Sequence, residues 1–399
     1  MSDPLTLGLG VIALILILVQ SVGLAILLSR LLKGAIRQPP LQPLQPQSQD
    51  LAQVTVVIPT LNEAQRIDPC LAGLTRQSYE LREVIVVDSL SQDGTPDRVK
   101  AIAKSDPRFR VINDDPLPSH WVGRPWALHT GYLASSEQSE WILGVDADTQ
   151  PQPGLIASLL QIAKAGGWDL LSLSPQFILR YPGEWWLQPA LLMTLLYRFE
   201  VAGVNAQVPQ QVMANGQCFF CRRSVLAELG GYQAAAQSFC DDVTLARYAA
   251  QQGFKVGFLD GAQVLRVQMY EGAAETWREW GRSLDLKDAC TRSQLWGDLA
   301  LLVVTQGLPL LVLLGLGGAL GWGADFLTVQ IAIALNLFLL ILRFALLFAI
   351  YPSYYRNSES YPACWLFWLS PLADPLAVLR IFLSARQTPK QWRGRVYSG

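Results

Sequence analysis

Histidine is almost missing from this chain, and charge is scarce. Only two histidines, His120 and His129, occur in 399 residues, and charged residues make up 16% against 51% hydrophobic ones. A histidine-based triad or zinc site therefore has little material, and chemistry must rest on carboxylates. Cysteine is sparse as well: Cys70, Cys218, Cys221, Cys240, Cys290 and Cys364 lie in or beside the central region. Cys218 and Cys221 have the spacing of a metal pair, but on a strand their thiols face opposite sides. No second pair exists, which favours core packing over zinc. Phosphate loops are lacking too. No Gly-x-Gly-x-x-Gly follows the first apolar strand pattern and no Gly-Lys-Ser/Thr loop occurs, which weakens dinucleotide and P-loop readings. With a formal net charge of -1, no nucleic-acid partner is expected.

What is abundant is apolar sequence at the two ends. Leu5 to Leu28, Leu299 to Leu320, Phe326 to Ile350 and Tyr361 to Leu383 are each long enough to span a bilayer. The first is too long for a signal-peptide core and has no basic flank before it or small-residue cleavage site after it, so it should persist as an anchor. Asp3 is the only charge before it, whereas Arg30, Lys33 and Arg37 follow closely. The amino terminus is therefore expected outside and the central region in the cytosol. Arg386, Lys390, Arg393 and Arg395 mark a tail that should also be cytosolic, yet four spans starting outside would leave it outside. One segment must be something else. Tyr361 to Leu383 is the candidate, because Pro371, Asp374 and Pro375 interrupt it and suit an interfacial or re-entrant helix. Arg343 inside the third segment is the competing anomaly, so the count is three or four.

The expected division is an anchor over 1–32, a Pro/Gln-rich linker over 33–50, a globular domain over 51–297, membrane helices over 298–385 and a basic tail over 386–399. In the linker, Gln38-Pro39-Pro40-Leu41-Gln42-Pro43-Leu44-Gln45-Pro46-Gln47 reads as an extended polar spacer. Within the globular domain, Val54 to Pro59, Val84 to Asp88, Phe109 to Ile112 and Trp141 to Val145 read as buried strands, with a helix over Pro125 to Ser135. Strand and helix alternating, with acids at strand ends, implies a parallel sheet. Ligands of such sheets sit beyond the carboxyl ends, where Asp88 and Asp146 fall. Asp146 and Asp148 would point into one crevice if the pleat continued through them. Such a pair suits a hard divalent cation bridging a diphosphate, or else it caps the turn containing Pro151, Pro153 and Gly154.

Val57-Ile58-Pro59-Thr60-Leu61-Asn62-Glu63, then Val86-Val87-Asp88 with Asp93-Gly94-Thr95, then Asp146-Ala147-Asp148, resemble in order and spacing the nucleotide-sugar domain of family 2 glycosyltransferases with the GT-A fold. The resemblance runs from about Val54 to Arg282. It implies an α/β fold, a mixed sheet flanked by helices, here with transmembrane helices at both ends, and a nucleotide-diphosphate sugar as donor. It implies that Pro59, Thr60, Asn62 and Glu63 border the nucleotide pocket and that Asp88 receives the base. Asp146 and Asp148 then handle ribose and a divalent metal, Mg2+ or Mn2+, with Asp148 the favoured ligand. Asp93 is open between a ligand role and a turn cap. His120-Trp121-Val122-Gly123-Arg124-Pro125-Trp126-Ala127 resembles the family's Trp-x-Gly-Lys-x-x-Ala element, with Arg124 in place of lysine. The charge is kept, and a guanidinium suits a diphosphate; an ordinary surface arginine is the alternative.

Ala214 to Arg223, with Gly216 and Gln217, and Leu229-Gly230-Gly231-Tyr232 resemble the acceptor-side strand and Gly-Gly turn; Trp280 and Arg282 are also assigned to the acceptor side. Ser238 to Arg247 corresponds to the Glu-Asp-x-x-Leu motif, with Asp241 replacing the glutamate and Asp242 the implied general base. Ordinary enrichment of acids at a helix start is the alternative. Processive members carry Gln-x-x-Arg-Trp before the second membrane segment, and Arg266 to Tyr270 and Trp277 to Arg282 do not match it cleanly, so transfer of a single sugar is expected. Tyr181 to Phe199 is unusually apolar and suits a helix lying in the membrane interface or a buried core helix. An interfacial helix would admit a lipid hydroxyl as acceptor. The single amino-terminal anchor and Trp392-Arg393-Gly394-Arg395 resemble carotenoid and hopanoid-associated glycosyltransferases. The expectation is inverting transfer to a hydroxyl of a membrane lipid, a xanthophyll first, with a hopanoid, glycerolipid or polyprenyl phosphate as alternatives. A non-catalytic membrane carrier with a decayed transferase fold is the reading from another class. It would be expected to lose acids at Asp88, Asp148 or Asp242, and all three are present.

Overall fold

Strands form where β-branched residues run together. The structure, a computed structural model, describes residues 4–206, 208–282, 284–321, 327–356, 361–387, 391–392 and 395–396. The chain begins with α1 (Pro4–Lys33), β1 (Val54–Thr60), α2 (Asp68–Thr75), β2 (Leu81–Asp88), α3 (Thr95–Ala103), β3 (Phe109–Asn113), α4 (Gly123–Ala134) and β4 (Trp141–Gly144). It continues through β5 (Thr149–Pro151), α5 (Leu155–Gly166), β6 (Leu170–Ser174), β7 (Gln176–Ile178), α6 (Pro182–Arg198), β8 (Phe219–Arg222), α7 (Arg223–Glu228) and α8 (Asp241–Gln251). Then come β9 (Val256–Asp260), β10 (Leu265–Val267), α9 (Gly272–Glu279), α10 (Arg292–Leu302), α11 (Leu308–Gly321), α12 (Leu327–Ile350) and α13 (Asp374–Arg386). They form two units, one of Arg37–Ile178 and Val201–Met269, the other of α1, α6 and α9 to α13.

The first unit is built on a seven-stranded sheet in the order β3-β2-β1-β4-β8-β6-β9. β1 runs parallel to β2 and β4, and β2 parallel to β3, whereas β8 is antiparallel to both β4 and β6. All seven residues of β1 are buried, which explains why Val56, Val57 and Ile58 place apolar side chains on both faces instead of alternating, while the buried Thr55 hydroxyl is paired with Ser139 Oγ at 2.8 Å. Helices α2 and α5 cover one face through Leu71, Leu74, Leu155 and Leu159, and α4, α7 and α8 cover the other through Leu128, Leu226 and Leu245. Cys218 belongs to the first layer and Cys221 to the second, so the two thiols do face opposite sides, and burial pushes both up. The strand order reverses between β1 and β4, because the chain leaves β1 towards β2 and later returns on its other side. Such a reversal opens a crevice at the carboxyl ends of the strands.

The linker differs from a free spacer. Its residues are extended, but Gln38 N donates to the Gly203 carbonyl at 2.8 Å, Leu41 N to the Asp260 carbonyl at 2.7 Å and Leu44 N to Ser158 Oγ at 2.9 Å. The Leu41 side chain joins the sheet's core. Prolines at 39, 40, 43 and 46 keep this strap from folding back on itself, and the intervening amides find partners on the sheet unit.

Among the described residues of the helical unit, four helices are long and apolar enough to cross a membrane: Gly8–Ile36, Arg292–Gly318, Leu327–Ser353 and Ala363–Arg386. The second carries a π-helical turn at Val303–Gly307. The fourth is interrupted where the sequence indicates, with a 3-10 stretch over Tyr361–Ala373 giving way to α13 at Asp374. Arg343 and Asp374, the two polar anomalies of separate segments, are each other's partners at 2.8 Å, and both are buried. Gln20 and Asn336 exchange reciprocal amide hydrogen bonds of 2.8 Å between α1 and α12. Helix α6 is enclosed, not spread on a surface: it packs on α9, α10, α13 and the 361–373 stretch, with Trp185, Leu191 and Tyr197 fully buried. Its apolar sides therefore take it, with residues from Tyr270 onward, into the helical unit and out of the block over 51–297 that composition suggests. Lys390 and Arg393 of the basic tail, and the side chain of Arg395, lie outside the described residues.

Candidate active site

The first wall of the crevice is the paired ends of β1 and β2. Pro59 and Thr60 lie opposite Val87 and Asp88 in the parallel ladder, so the two strands stop in register. Asp88 is buried there and accepts from Thr60 Oγ1 at 3.3 Å and from Ser91 N at 3.0 Å. Asn62 takes a left-handed φ of 56°, which its short polar side chain tolerates. Its amide donates to Ser91 Oγ at 2.8 Å and its Oδ1 accepts from Gln92 N at 2.9 Å, tying the two loops together. Glu63 is buried beneath them, with its amide on Thr95 Oγ1 at 2.9 Å. Asp93 accepts from Ala64 N at 2.9 Å, Thr95 N at 3.0 Å and Thr95 Oγ1 at 2.6 Å. Burial pushes its carboxyl up, but these hydrogen bonds prevail and hold it below the usual carboxylate range. Both of its oxygens are thus spent inside the loop, as in a turn cap.

The second wall starts where β4 stops. The strand ends at Gly144, one residue before the expected limit, and Ala147 and Asp148 lie in a turn. Asp146 and Asp148 therefore do not share one pleat. The Asp146 carbonyl accepts from Thr149 N at 3.2 Å and Thr149 Oγ1 at 2.7 Å, so the turn is capped through the backbone while the carboxylate is left for another partner. That partner is Arg124, at the amino end of α4, whose Nε and Nη2 reach Asp146 Oδ1 at 3.0 and 2.8 Å. The same guanidinium binds Asp241 through Nη1 and the Gly216 carbonyl through Nη2, the latter at 2.9 Å. Burial disfavours its charge, but Asp146, Asp241 and Asp242 outweigh that and keep it protonated. Trp121 and Trp126 pack against each other at a tilt of 59° with centroids 5.2 Å apart, and Trp121 stacks on His129 at 5.0 Å, so these rings anchor the start of α4.

Asp241 and Asp242 occupy the first turn of α8, where unsatisfied amides and the helix dipole favour acids. Asp242 Oδ2 accepts from Gly216 N at 2.6 Å and Oδ1 from its neighbour Val243 N at 2.9 Å. Burial and then the adjacent Asp241 push the Asp242 carboxyl up to about 6, against the pull of Arg124. Burial raises Asp241 as well, and Arg124 opposes it. Gly216 lies between these groups where a Cβ would meet the Arg124 guanidinium, so a side chain there would require that guanidinium to move off its carboxylates. Its position is set from behind by Asn215, whose amide donates to Ser172 Oγ at 2.7 Å and whose Nδ2 donates to Gln217 Oε1 at 3.0 Å. Ser172 and Ser91 are supports that sequence reading misses, since a lone serine on a strand or loop carries no distinctive signal.

The candidates Asp88, Asp146, Arg124, Asp241, Asp242, Gly216 and Gln217 all fall in the sheet unit. Trp280 and Arg282 do not. They lie in a short turn after α9 in the helical unit, where Trp280 is buried and the side chain of Arg282 is outside the described residues. Among the described residues there is no group of three or more His, Cys, Asp or Glu side chains placed to hold a metal. A pair of carboxylates at a turn nevertheless suits a hard cation that takes its other ligands from a diphosphate and water.

A parallel-strand crevice with Asp88 fixed on one wall and, on the other, one guanidinium joining Asp146 to Asp241 is a layout that suits a group-transfer site. Comparison with known proteins gives the class its family. Glycosyl transferase family 2 matches residues 55–230. An N-acetylglucosaminyltransferase of Bradyrhizobium elkanii is 30% identical over 140 residues, which are 34% of this chain and 72% of that protein. The 4,4'-diaponeurosporenoate glycosyltransferase of Staphylococcus haemolyticus is 23% identical over 245 residues, 61% of this chain and 64% of that protein. An undecaprenyl-phosphate mannosyltransferase of Micrococcus luteus is 31% identical over 115 residues, 28% of this chain and 44% of that protein. The chain spans less than two thirds of the length of these last two relatives. It belongs to glycosyl transferase family 2.

Proposed function

We propose that this chain is a membrane-bound inverting glycosyltransferase that moves one sugar from a nucleotide-diphosphate sugar to a hydroxyl of a membrane lipid. The observation that carries the reading is the Arg124 junction. One guanidinium holds Asp146 on the donor wall and Asp241, next to Asp242, on the acceptor wall, so both halves of a transfer site share one fixed charge. In this reading Asp88 receives the base, with Pro59, Thr60, Asn62 and Glu63 shaping its rim, and Asp146 meets the ribose. Asp242 takes the proton of the acceptor hydroxyl as its oxygen attacks the anomeric carbon on the face opposite the departing diphosphate. Two amides aim that carboxylate, and burial raises its proton affinity to suit a base. Arg124 keeps Asp241 in place and supplies positive charge to the diphosphate side. A Mg2+ or Mn2+ ion held by Asp148, with Asp146 beside it, would offset the charge of the leaving diphosphate.

A carotenoid is the favoured acceptor class, supported by the helices of membrane-spanning length and by the relative named for 4,4'-diaponeurosporenoate, and a hydroxyl is the group that Asp242 as base would serve. A polyprenyl phosphate is the second reading, supported by the Micrococcus relative. Arg30, Lys33 and Arg37 after the apolar part of α1 support an amino terminus outside and the sheet unit on the cytosolic side. Purified full-length protein is expected to release nucleoside diphosphate from a nucleotide sugar when a hydroxylated lipid is supplied. A strain lacking the protein should lose one glycosylated lipid or pigment by mass spectrometry. An unchanged glycolipid profile, or wild-type turnover by Asp242→Asn, refutes the proposal.

A further inference from the structure

Ser172 is the fully buried hydroxyl of β6, a strand otherwise built of leucine around it. Leu171 and Leu173 point into the layer of α2 and α5, and Leu170 into that of α4, α7 and α8. Strand alternation therefore places Ser172 on the α8 side, the side of Asp242. It is paired with Phe219 of β8 and with Phe258 of β9, so its backbone is fixed from both sides. A hydroxyl in such a place must find partners, and this one finds both on a single residue of the loop before β8. Its Oγ accepts from Asn215 N at 2.7 Å and donates to the Asn215 carbonyl at 3.0 Å.

The Asn215 carbonyl and the Gly216 N–H belong to one peptide group. In a trans peptide the two point in opposite directions, so a partner on the carbonyl fixes the aim of the N–H. That N–H donates to Asp242 Oδ2 at 2.6 Å, and the next carbonyl, that of Gly216, accepts from Arg124 Nη2 at 2.9 Å. The loop thus has Ser172 behind it and the acid and the guanidinium in front. Gly216 has no side chain with which to hold this peptide, so its orientation depends on the groups around it. Cys218 N, at 3.2 Å, is a second donor to the Asn215 carbonyl, but it belongs to the same loop and moves with it. Ser172 is the partner that comes from the sheet. A donor on the carbonyl also polarises the peptide and strengthens the hydrogen bond given by its N–H.

We propose that Ser172 is a positioning residue for Asp242: acting through the Asn215–Gly216 peptide, its hydroxyl aims the N–H that holds the carboxylate. This rests on the reading of Asp242 as the base. The charged groups that face Asp242 are Asp241 of its own helix and Arg124 of α4, with Asp146 bound to the same guanidinium, and the variants below alter none of them. The test is release of nucleoside diphosphate by the full-length protein as a function of pH. Ser172→Ala removes both hydrogen bonds, and a slack N–H supports the ionised carboxylate less, so the proton is lost only at higher pH. The half-maximal point should move up from about 6 by about half a unit to one unit. Plateau kcat should fall about 10-fold while KM for the donor stays within about twofold. Ser172→Cys, close to serine in size but a weak donor, should shift the limb in the same direction, and Ser172→Thr, which keeps the hydroxyl, should leave it near the wild-type position. Unaltered circular dichroism and thermal midpoint establish that the variants are folded. An unmoved limb in Ser172→Ala, whatever its plateau, overturns the proposal and leaves Asp242 as the base, as does an equal shift in folded Ser172→Thr. Wild-type turnover by Asp242→Asn overturns the base reading and this proposal with it.

Discussion

Replacing Asp241 by Asn separates the proposed base from its electrostatic setting. Burial and the Asp241 charge raise Asp242 to about 6, while Arg124 and the amides of Val243 and Gly216 pull it down. A general base acts only when ionised, so kcat/KM should fall as pH drops through about 6. With that value, about one tenth of the molecules carry ionised Asp242 at pH 5 and about nine tenths at pH 7. Asn at 241 has nearly the same shape but removes the raising charge, and it leaves Arg124 with one acid fewer to share. Both changes favour ionised Asp242. The half-maximal point should therefore move from about pH 6 to about pH 5, making the variant about fivefold faster at pH 5 relative to its own plateau. Arg124→Gln removes the lowering charge and should shift the limb the other way. The assay is release of nucleoside diphosphate at limiting donor, from about pH 4.5 to about pH 8.5. A half-maximal point near 4 in the wild type, or an unmoved limb in Asp241→Asn, would refute the reasoning. Asp242→Asn should lose about 10²- to 10⁴-fold at every pH.

Gly216→Ala should destabilise the protein by about 1–3 kcal/mol and lower turnover, because the new methyl displaces the Arg124 guanidinium; thermal unfolding and steady-state kinetics read both, and an unaffected variant contradicts the close approach. Arg343→Met and Asp374→Leu should each cost about 3–5 kcal/mol by stranding a buried charge, whereas the double variant should be milder than either, as measured by unfolding in detergent. Chelation should abolish activity and Mn2+ or Mg2+ restore it, and Asp148→Asn should need at least about 10-fold more metal; a wild-type metal response in that variant removes Asp148 from the role.

Much of the sheet is legible in the chain because a strand buried on both faces must be apolar throughout. Val56 to Ile58 and Val84 to Val87 show this, and the polar Thr60 and Asp88 that end the two strands mark where the crevice begins. The helix after Gly123 is equally readable. Period alone misleads at Asp146 and Asp148. Alternation predicts one shared face, but the strand stops at Gly144 and Ala147 and Asp148 lie in a turn, where the period of two no longer applies. Helix α6 shows a related ambiguity, since an apolar helix with tryptophans reads the same whether it meets lipid or other helices.

By itself the sequence determines the cores of the first four strands, the acids that follow them, the motifs that resemble family 2 and the four apolar segments. These follow from local rules: burial of a strand or partition of a helix depends on the residues of that segment and hardly on what lies elsewhere. Only the tertiary structure decides that Arg124 meets both Asp146 and, 117 positions further along the chain from itself, Asp241, that Arg343 finds Asp374, and that the proline-rich linker is strapped to the sheet. A charged side chain has many acceptable partners in sequence. Which one it meets is set by where the folded chain returns, and burial then leaves that partner as the means of satisfying it.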